Sequence, residues 1–164
     1  MTDDLLDQLI EDWKREKPDL DASAMHIVGR ILQLGKKLEK RASHALQSHG
    51  IHYTDLDVLA TLRRSGPPYE LTPTELRRSV LITSGAMTAL LDRLEKIGLL
   101  SRQTDPDDGR VRTAVLTERG KKVIDEAIQV RFAEAESAIA ALNELERQQL
   151  TQLLRKMLAS LTSE

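Results

Sequence analysis

A mainly α-helical chain with one small β-hairpin is the fold class this sequence predicts, on three observations. Apolar side chains recur at helical spacing along most of its length. Period-two alternation is confined to residues 99–115, on either side of a Pro- and Gly-containing turn. Directly upstream, residues 71–97 hold two short helical runs separated by a serine and glycine break. At 164 residues the chain is long enough for one domain with a terminal extension.

Residues 3–16 are expected to form the first helix. Leu5, Leu6, Leu9, Ile10 and Trp13 share a face, and Pro18 ends the run because a residue before proline is pushed out of the helical region. Asp19-Leu20-Asp21 links it to a long helix over residues 23–48, with Asp21 or Ser23 as cap. Met25, Val28, Ile31, Leu32, Leu38, Ala42, Ala45 and Leu46 form its stripe, and Gly50 closes it. Thr54 is expected to cap the third helix, with Asp57 at its third position and Leu56, Leu59, Ala60 and Leu62 pointing inward. Ser65-Gly66-Pro67-Pro68 stops that run.

The central stretch carries the densest signals. Thr72, Pro73 and Glu75 make a capping box: a hydroxyl cap, a first helical residue that needs no N–H, and an acid reaching back to the cap. Leu76 and Val80 share a face of this short helix, which should stop near Leu81. The next helix starts at Thr83 or Ser84. Its Met87, Leu90, Leu91 and Leu94 form a core face, and Gly98 ends it. The opposite face offers Ser84, Gly85, Thr88, Ala89, Asp92, Arg93 and Lys96. Small residues in its first turn let the backbone approach a groove floor closely. Leu99–Thr104 reads as a strand, Asp105-Pro106-Asp107-Asp108-Gly109 as a turn, and Val111 to Val115 as the return strand, leaving Arg110 at the tip. Two helices and a two-stranded wing make a winged helix-turn-helix, a shape that docks on duplex DNA.

Thr117 is expected to cap a further helix of about twenty-five residues, on which Val123, Ile124, Ala127, Ile128 and Ala135 point toward a partner surface. Asn143, with Glu146 three residues on, caps the last helix. There Leu150, Leu153, Leu154, Met157, Leu158 and Leu161 form a leucine-rich stripe. These stripes are broad for so small a wing domain. They point to a homodimer formed by the N- and C-terminal helices, with two reading helices one DNA turn apart on an inverted repeat. The division expected is an extra helix over residues 1–18, a dimerisation region over 19–50 and 118–164, and a DNA-binding region over 51–117.

Taken together, Leu71 to Leu76, Ser84 to Thr88, Asp92-Arg93-Leu94-Glu95, Gly98-Leu99, Asp105 to Asp108 with Arg110, and Leu116-Thr117-Glu118 with Gly120 resemble the MarR family of winged helix-turn-helix regulators. The resemblance runs from about Ala24 to Leu161. It implies that the helix matching residues 83–97 enters the major groove, and that Arg110, held by Asp108, reaches the minor groove. Gly109 departs from the family pattern, where an arginine is common. The DNA-binding set expected is therefore Thr83, Ser84, Gly85, Ala86, Thr88, Arg93, Lys96, Arg102, Asp108 and Arg110.

Composition narrows the alternatives. The chain has no cysteine, so thiol-based oxidation sensing, disulfides and thiolate metal sites are excluded. Neither an apolar run long enough to span a bilayer nor an export signal is expected, and the acidic start at Asp3, Asp4 and Asp7 argues against the latter; a cytoplasmic protein is the simplest reading. Net charge is −2. Residues 63–112 nevertheless carry nine Lys or Arg against seven Asp or Glu, while the rest carries fifteen against nineteen. Phosphate contacts must therefore come from placement and from helix-start amides. No phosphate loop, Gly-x-Ser-x-Gly or His-Glu-x-x-His run suggests an enzyme, and no cofactor is called for.

A regulator needs an input. The runs around Trp13, Asp57, Arg64 and Arg102 resemble the urate-responsive branch of the same family, which carries an extra N-terminal helix with a tryptophan. That resemblance implies an anionic purine, stacked on indole and bound by guanidinium and carboxylate, with an aromatic acid or another ligand as the alternative. The branch usually has an arginine where this chain has Leu90. Blander roles are open to all four: anchoring the helix for Trp13, capping for Asp57, binding its own helix end for Arg64 and phosphate contact for Arg102. His44, His49 and His52 raise a metal-responsive alternative, although their spacing suits surface histidines better and no metal ligand is assigned. A winged helix that binds protein rather than DNA is the other alternative.

Overall fold

The computed structural model describes residues 4–80, 84–104 and 112–161, with backbone alone for Ser84, Gly85 and Arg112. The expected turn at 105–109, and with it Asp108 and Arg110, lies outside the described residues, as do Leu81, Thr83 and Val111. The chain divides into two compact units, residues 1–44 and 45–164.

The first unit holds α1 (Leu5–Glu16) and most of α2 (Met25–Leu46). Asp4 caps α1 by accepting from the N–H groups of Leu6 and Asp7, at 2.9 and 3.2 Å, and Asp7 accepts in return from Asp4 at 3.1 Å. Arg30 of α2 then clamps this cap, donating to Asp4 at 2.9 and 3.0 Å and to Asp7 at 2.7 Å. Gly29 allows the approach: a Cβ there would lie 2.9 Å from Leu6 Cδ2. At the start of α2, Asp21 accepts from Ser23 N–H at 2.9 Å.

The second unit begins with the end of α2, a 3-10 turn at Gln47–His49, and Gly50 in the left-handed region at φ 67°. Next come α3 (Tyr53–Arg64), β1 (Glu70–Leu71), α4 (Pro73–Ser79), α5 (Ser84–Lys96), β2 (Leu100–Thr104), β3 (Arg112–Leu116), α6 (Glu118–Ala138) and α7 (Glu144–Leu161). Leu46, Leu59, Leu62, Leu76, Met87, Leu94, Leu100 and Ile124 are fully buried in one core. Each such side chain contributes about 1.5–3 kcal/mol relative to an exposed one.

The capping box at Thr72 forms as its residues dictate: Thr72 Oγ1 accepts from Glu75 N–H at 3.2 Å, and Glu75 Oε2 accepts from Thr72 N–H at 2.7 Å. Asn143 and Glu146 do the same for α7, at 3.0 and 2.8 Å. Thr117 caps α6 by accepting from Gly120 N–H at 2.9 Å.

Three expectations are corrected. The third helix is not capped by Thr54. His52 is the cap, and Asp55 rather than Asp57 holds the third position, accepting from His52 N–H at 2.6 Å. The wing has a third strand, in the order β1-β3-β2, because Tyr69 C=O accepts from Leu116 N–H at 3.0 Å and draws residues 70–71 alongside β3. Finally, α6 spends its apolar stripe inside its own chain. Ile124 and Ala127 are in the core and Val123 and Ile128 pack against it partly buried, while Ala135 lies outside that cluster, so most of the stripe packs within its own chain.

Candidate nucleic-acid interface

The buried side chains of α5 are Met87, Leu90, Leu91 and Leu94, as the spacing requires, with exposures of 2, 8, 3 and 0%. Its exposed residues include Ala86, Thr88, Ala89, Asp92, Glu95 and Lys96. The helix begins at Ser84 and Gly85, so its free amides and positive dipole end lie at the small-residue turn. Arg77 and Arg78 stand exposed in the last turn of α4, the other short helix of the pair. They are absent from the set expected from sequence, although their place at the end of a capped helix is readable there.

Two of the expected DNA cations are engaged elsewhere. Arg93 donates through Nη1 to both oxygens of Asp55, at 2.5 Å to Oδ1, and Asp55 is fully buried. Arg102 donates to Asp92 Oδ1 at 2.5 Å and to Thr88 C=O at 3.4 Å, while its backbone N–H donates to Glu95 Oε1 at 3.0 Å. A guanidinium neutralised by a carboxylate offers less attraction to a phosphate. These pairs tie α5 to α3 on one side and to β2 on the other.

Arg102 also lines a cavity of about 130 Å³ with Pro73, Thr88, Leu91 and Ala114. Its side chain is only 17% exposed. Its Nε is buried without a hydrogen-bond partner, Glu95 Oε2 lying 3.7 Å away. The recess is mostly apolar, with the half-buried guanidinium of Arg102, paired to Asp92, at its edge.

The remaining candidate ligand residues are placed as follows. Trp13 lies on α1 and is 53% exposed. Asp57 is half-buried on α3. Burial raises its carboxyl above the ordinary aspartate value, while Arg64 and Arg131 pull it down. Arg64 donates to Thr61 Oγ1 at 2.8 Å, and that hydroxyl donates to Asp57 C=O at 2.7 Å. Arg102 instead turns to Asp92 and Glu95. For the histidines, no group of three or more His, Asp or Glu side chains among the described residues is placed to hold a metal. No described helix is long and apolar enough to cross a membrane.

The residue that sequence reasoning passes over is Asp55. Its signal is the His52 to Asp55 spacing of a helix start, obscured by the equally plausible Thr54 to Asp57 pair two residues later.

A family model described as MarR family matches residues 49–111. The HTH-type transcriptional regulator MhqR of Bacillus subtilis is 30% identical over 113 residues, covering 68% of this chain and 75% of the relative. The HTH-type transcriptional regulator PecS of Dickeya dadantii is 27% identical over 149 residues, 91% of this chain and 90% of the relative. Among solved structures, a mutant of Escherichia coli MarR complexed with operator DNA superposes with a TM-score of 0.74 at 26% identity. The match covers 85% of this chain and 99% of that one.

Proposed function

This chain belongs to the MarR family of winged helix-turn-helix transcriptional regulators, which are DNA-binding proteins and not enzymes, and from that premise we propose that it is a cytoplasmic repressor of the homodimeric kind, released from an inverted-repeat operator by a small anionic or aromatic ligand. The observation that carries the reading is α5. It is a helix buried on one face, small and polar on the other, and held on both flanks by ion pairs. Ser84, Gly85, Ala86 and Thr88 would meet base edges, with Thr83 at the approach. Lys96, Arg77 and Arg78 would meet phosphates, and Arg110, supported by Asp108, the minor groove. That the similar MarR structure is complexed with operator DNA supports DNA binding by this fold.

For the effector, the recess bounded by Pro73, Thr88, Leu91 and Arg102 favours a flat anion. An occupant bonded to Arg102 would compete with Asp92 for the guanidinium and loosen the tie between α5 and the wing. Urate or a related purine is the first compound to try. Trp13, Asp57 and Arg64 are tested alongside by single substitution.

The experiment is a mobility shift with the promoters of the chain's own and adjoining genes, repeated with urate and with simple aromatic acids. One fragment should be retained in preference to random competitor and released by an effector at up to about millimolar concentration. Equal affinity for every fragment, even at low salt, would sink the DNA reading in favour of a protein-interaction module. Arg110→Ala should weaken binding and reduce the slope of log affinity against log salt by about one; an unaltered slope would remove Arg110 from the interface.

A further inference from the structure

We propose that Asp55 is the positioning residue of the reading helix: its buried carboxylate, fixed at the start of α3, grips Arg93 and sets the roll of α5 about its own axis. The inference rests on the reading that α5 enters a DNA groove, and it deepens that reading.

The apolar face of α5 cannot set the roll by itself. Burial of Met87, Leu90, Leu91 and Leu94 is favourable but without direction, so small rotations cost little. The C-terminal end is pinned: Thr117 Oγ1 donates to Gly98 C=O at 2.8 Å, Arg119 Nη1 donates to Ile97 C=O at 3.0 Å, and Thr117 N–H donates to Leu99 C=O at 3.2 Å. Those contacts hold one end and leave the orientation of the first turns open.

A directional contact from the last turn of α5 itself, at Arg93, supplies what is missing, because fixing one side chain of a rigid helix fixes the roll of the whole. Asp55 is 0% exposed, and its Oδ2 is held by the His52 N–H at 2.6 Å, so the carboxylate is fixed to the backbone of α3. Arg93 reaches it across 38 positions of sequence. Desolvation offsets much of a buried pair's attraction, so its net contribution to stability is small or negative. What remains is geometry: guanidinium and carboxylate bond well only over a narrow range of orientations. The Asp92 to Arg102 pair braces the side toward β2, and Asp55 braces the side toward α3. Rolling α5 would move Ser84 to Thr88 relative to base edges that hydrogen bonding reads to a fraction of an ångström.

The test measures affinity for the preferred fragment and for a random duplex of equal length, well below each variant's melting temperature. Asp55→Asn should lower specific affinity by about tenfold and leave random-duplex affinity within about twofold. Arg93→Gln should do the same with an unaltered salt slope. If Arg93 instead touches phosphate, both affinities fall and the slope flattens, which overturns the proposal. The double variant Asp55→Asn with Arg93→Gln leaves an uncharged pair still able to hydrogen bond, and should recover specific affinity to within about threefold. A specific-to-random ratio in Asp55→Asn equal to that of the unsubstituted protein overturns the proposal, whatever the melting temperature does. Should Asp55→Asn fail to fold, Asp55→Glu keeps the charge and lengthens the arm by one methylene; a folded Asp55→Glu with an unaltered ratio is equally fatal. If the unsubstituted protein prefers no fragment, the DNA reading goes and takes this inference with it. A preference left undiminished by Asp55→Asn removes this inference alone.

Discussion

Asp57 and Glu75 respond to pH in opposite senses. Burial lifts the Asp57 carboxyl above its ordinary 3.8, with Arg64 and Arg131 opposing. The fold therefore prefers Asp57 protonated, and stability falls as pH rises through the lifted value. Asp57→Asn removes that penalty. Its melting temperature should be slightly higher at neutral pH, with a flatter decline just above the ordinary aspartate value. Glu75 is held below its ordinary 4.5, first by the Thr72 N–H and then by the Thr72 hydroxyl. Its contribution is present above 4.5 and is lost as pH falls through the lowered value. Glu75→Gln should therefore melt lower than the unsubstituted protein at neutral pH and equal to it in acid. Melting curves across the acid range check both signs; parallel curves for either variant would remove the assigned cause.

Between elements, the decisive junction is where α5 ends and α6 begins. Gly98 turns the chain at φ 73°, and α6 starts so close that a Cβ on Gly120 would lie 1.9 Å from Leu99 O and 2.9 Å from Leu116 Cδ1. The obstacle is backbone, which cannot swing aside like a side chain. Gly120→Ala should cost about 3 kcal/mol or more in urea unfolding, and the Thr117 and Arg119 bonds that pin α5 should open with it. A change below about 1 kcal/mol would show that the junction gives way without strain. Tyr69 plays a smaller part near β1, its ring flanked by Arg63 at 5.0 Å and Lys121 at 4.6 Å.

At the scale of the whole molecule, α7 is a long helix without an interior. None of its eighteen residues is buried in the single chain, and Leu153, Leu158 and Leu161 are 61, 64 and 72% exposed. A helix with so much apolar surface in water is a surface for a partner. A second copy is the occupant proposed, since two copies give the paired reading helices that an inverted repeat requires. Leu154→Asp combined with Leu158→Asp should sediment as a monomer at micromolar concentration and lose most operator affinity. A dimer that persists would remove α7 from the interface.

Much of this molecule is legible in local spacing. The caps at Thr72, Thr117 and Asn143, the stop at Gly98 and the buried face of α5 all follow from interactions within about four residues. Their residue types leave the backbone few alternatives. The same locality explains what spacing misplaces. Thr54 and His52 both begin plausible helices, and only the burial of Asp55 against Arg93 chooses His52. The partners of Arg93 and Arg102, the pairing of β1 with β3 and the use of the α6 stripe inside its own chain are contacts between distant segments. Periodicity tells which face of a helix is apolar but not what that face meets. The sequence by itself determined the main helices and the two longer strands. Only the tertiary structure decided which charges pair within the chain, because a side chain's partner depends on where the chain returns in space.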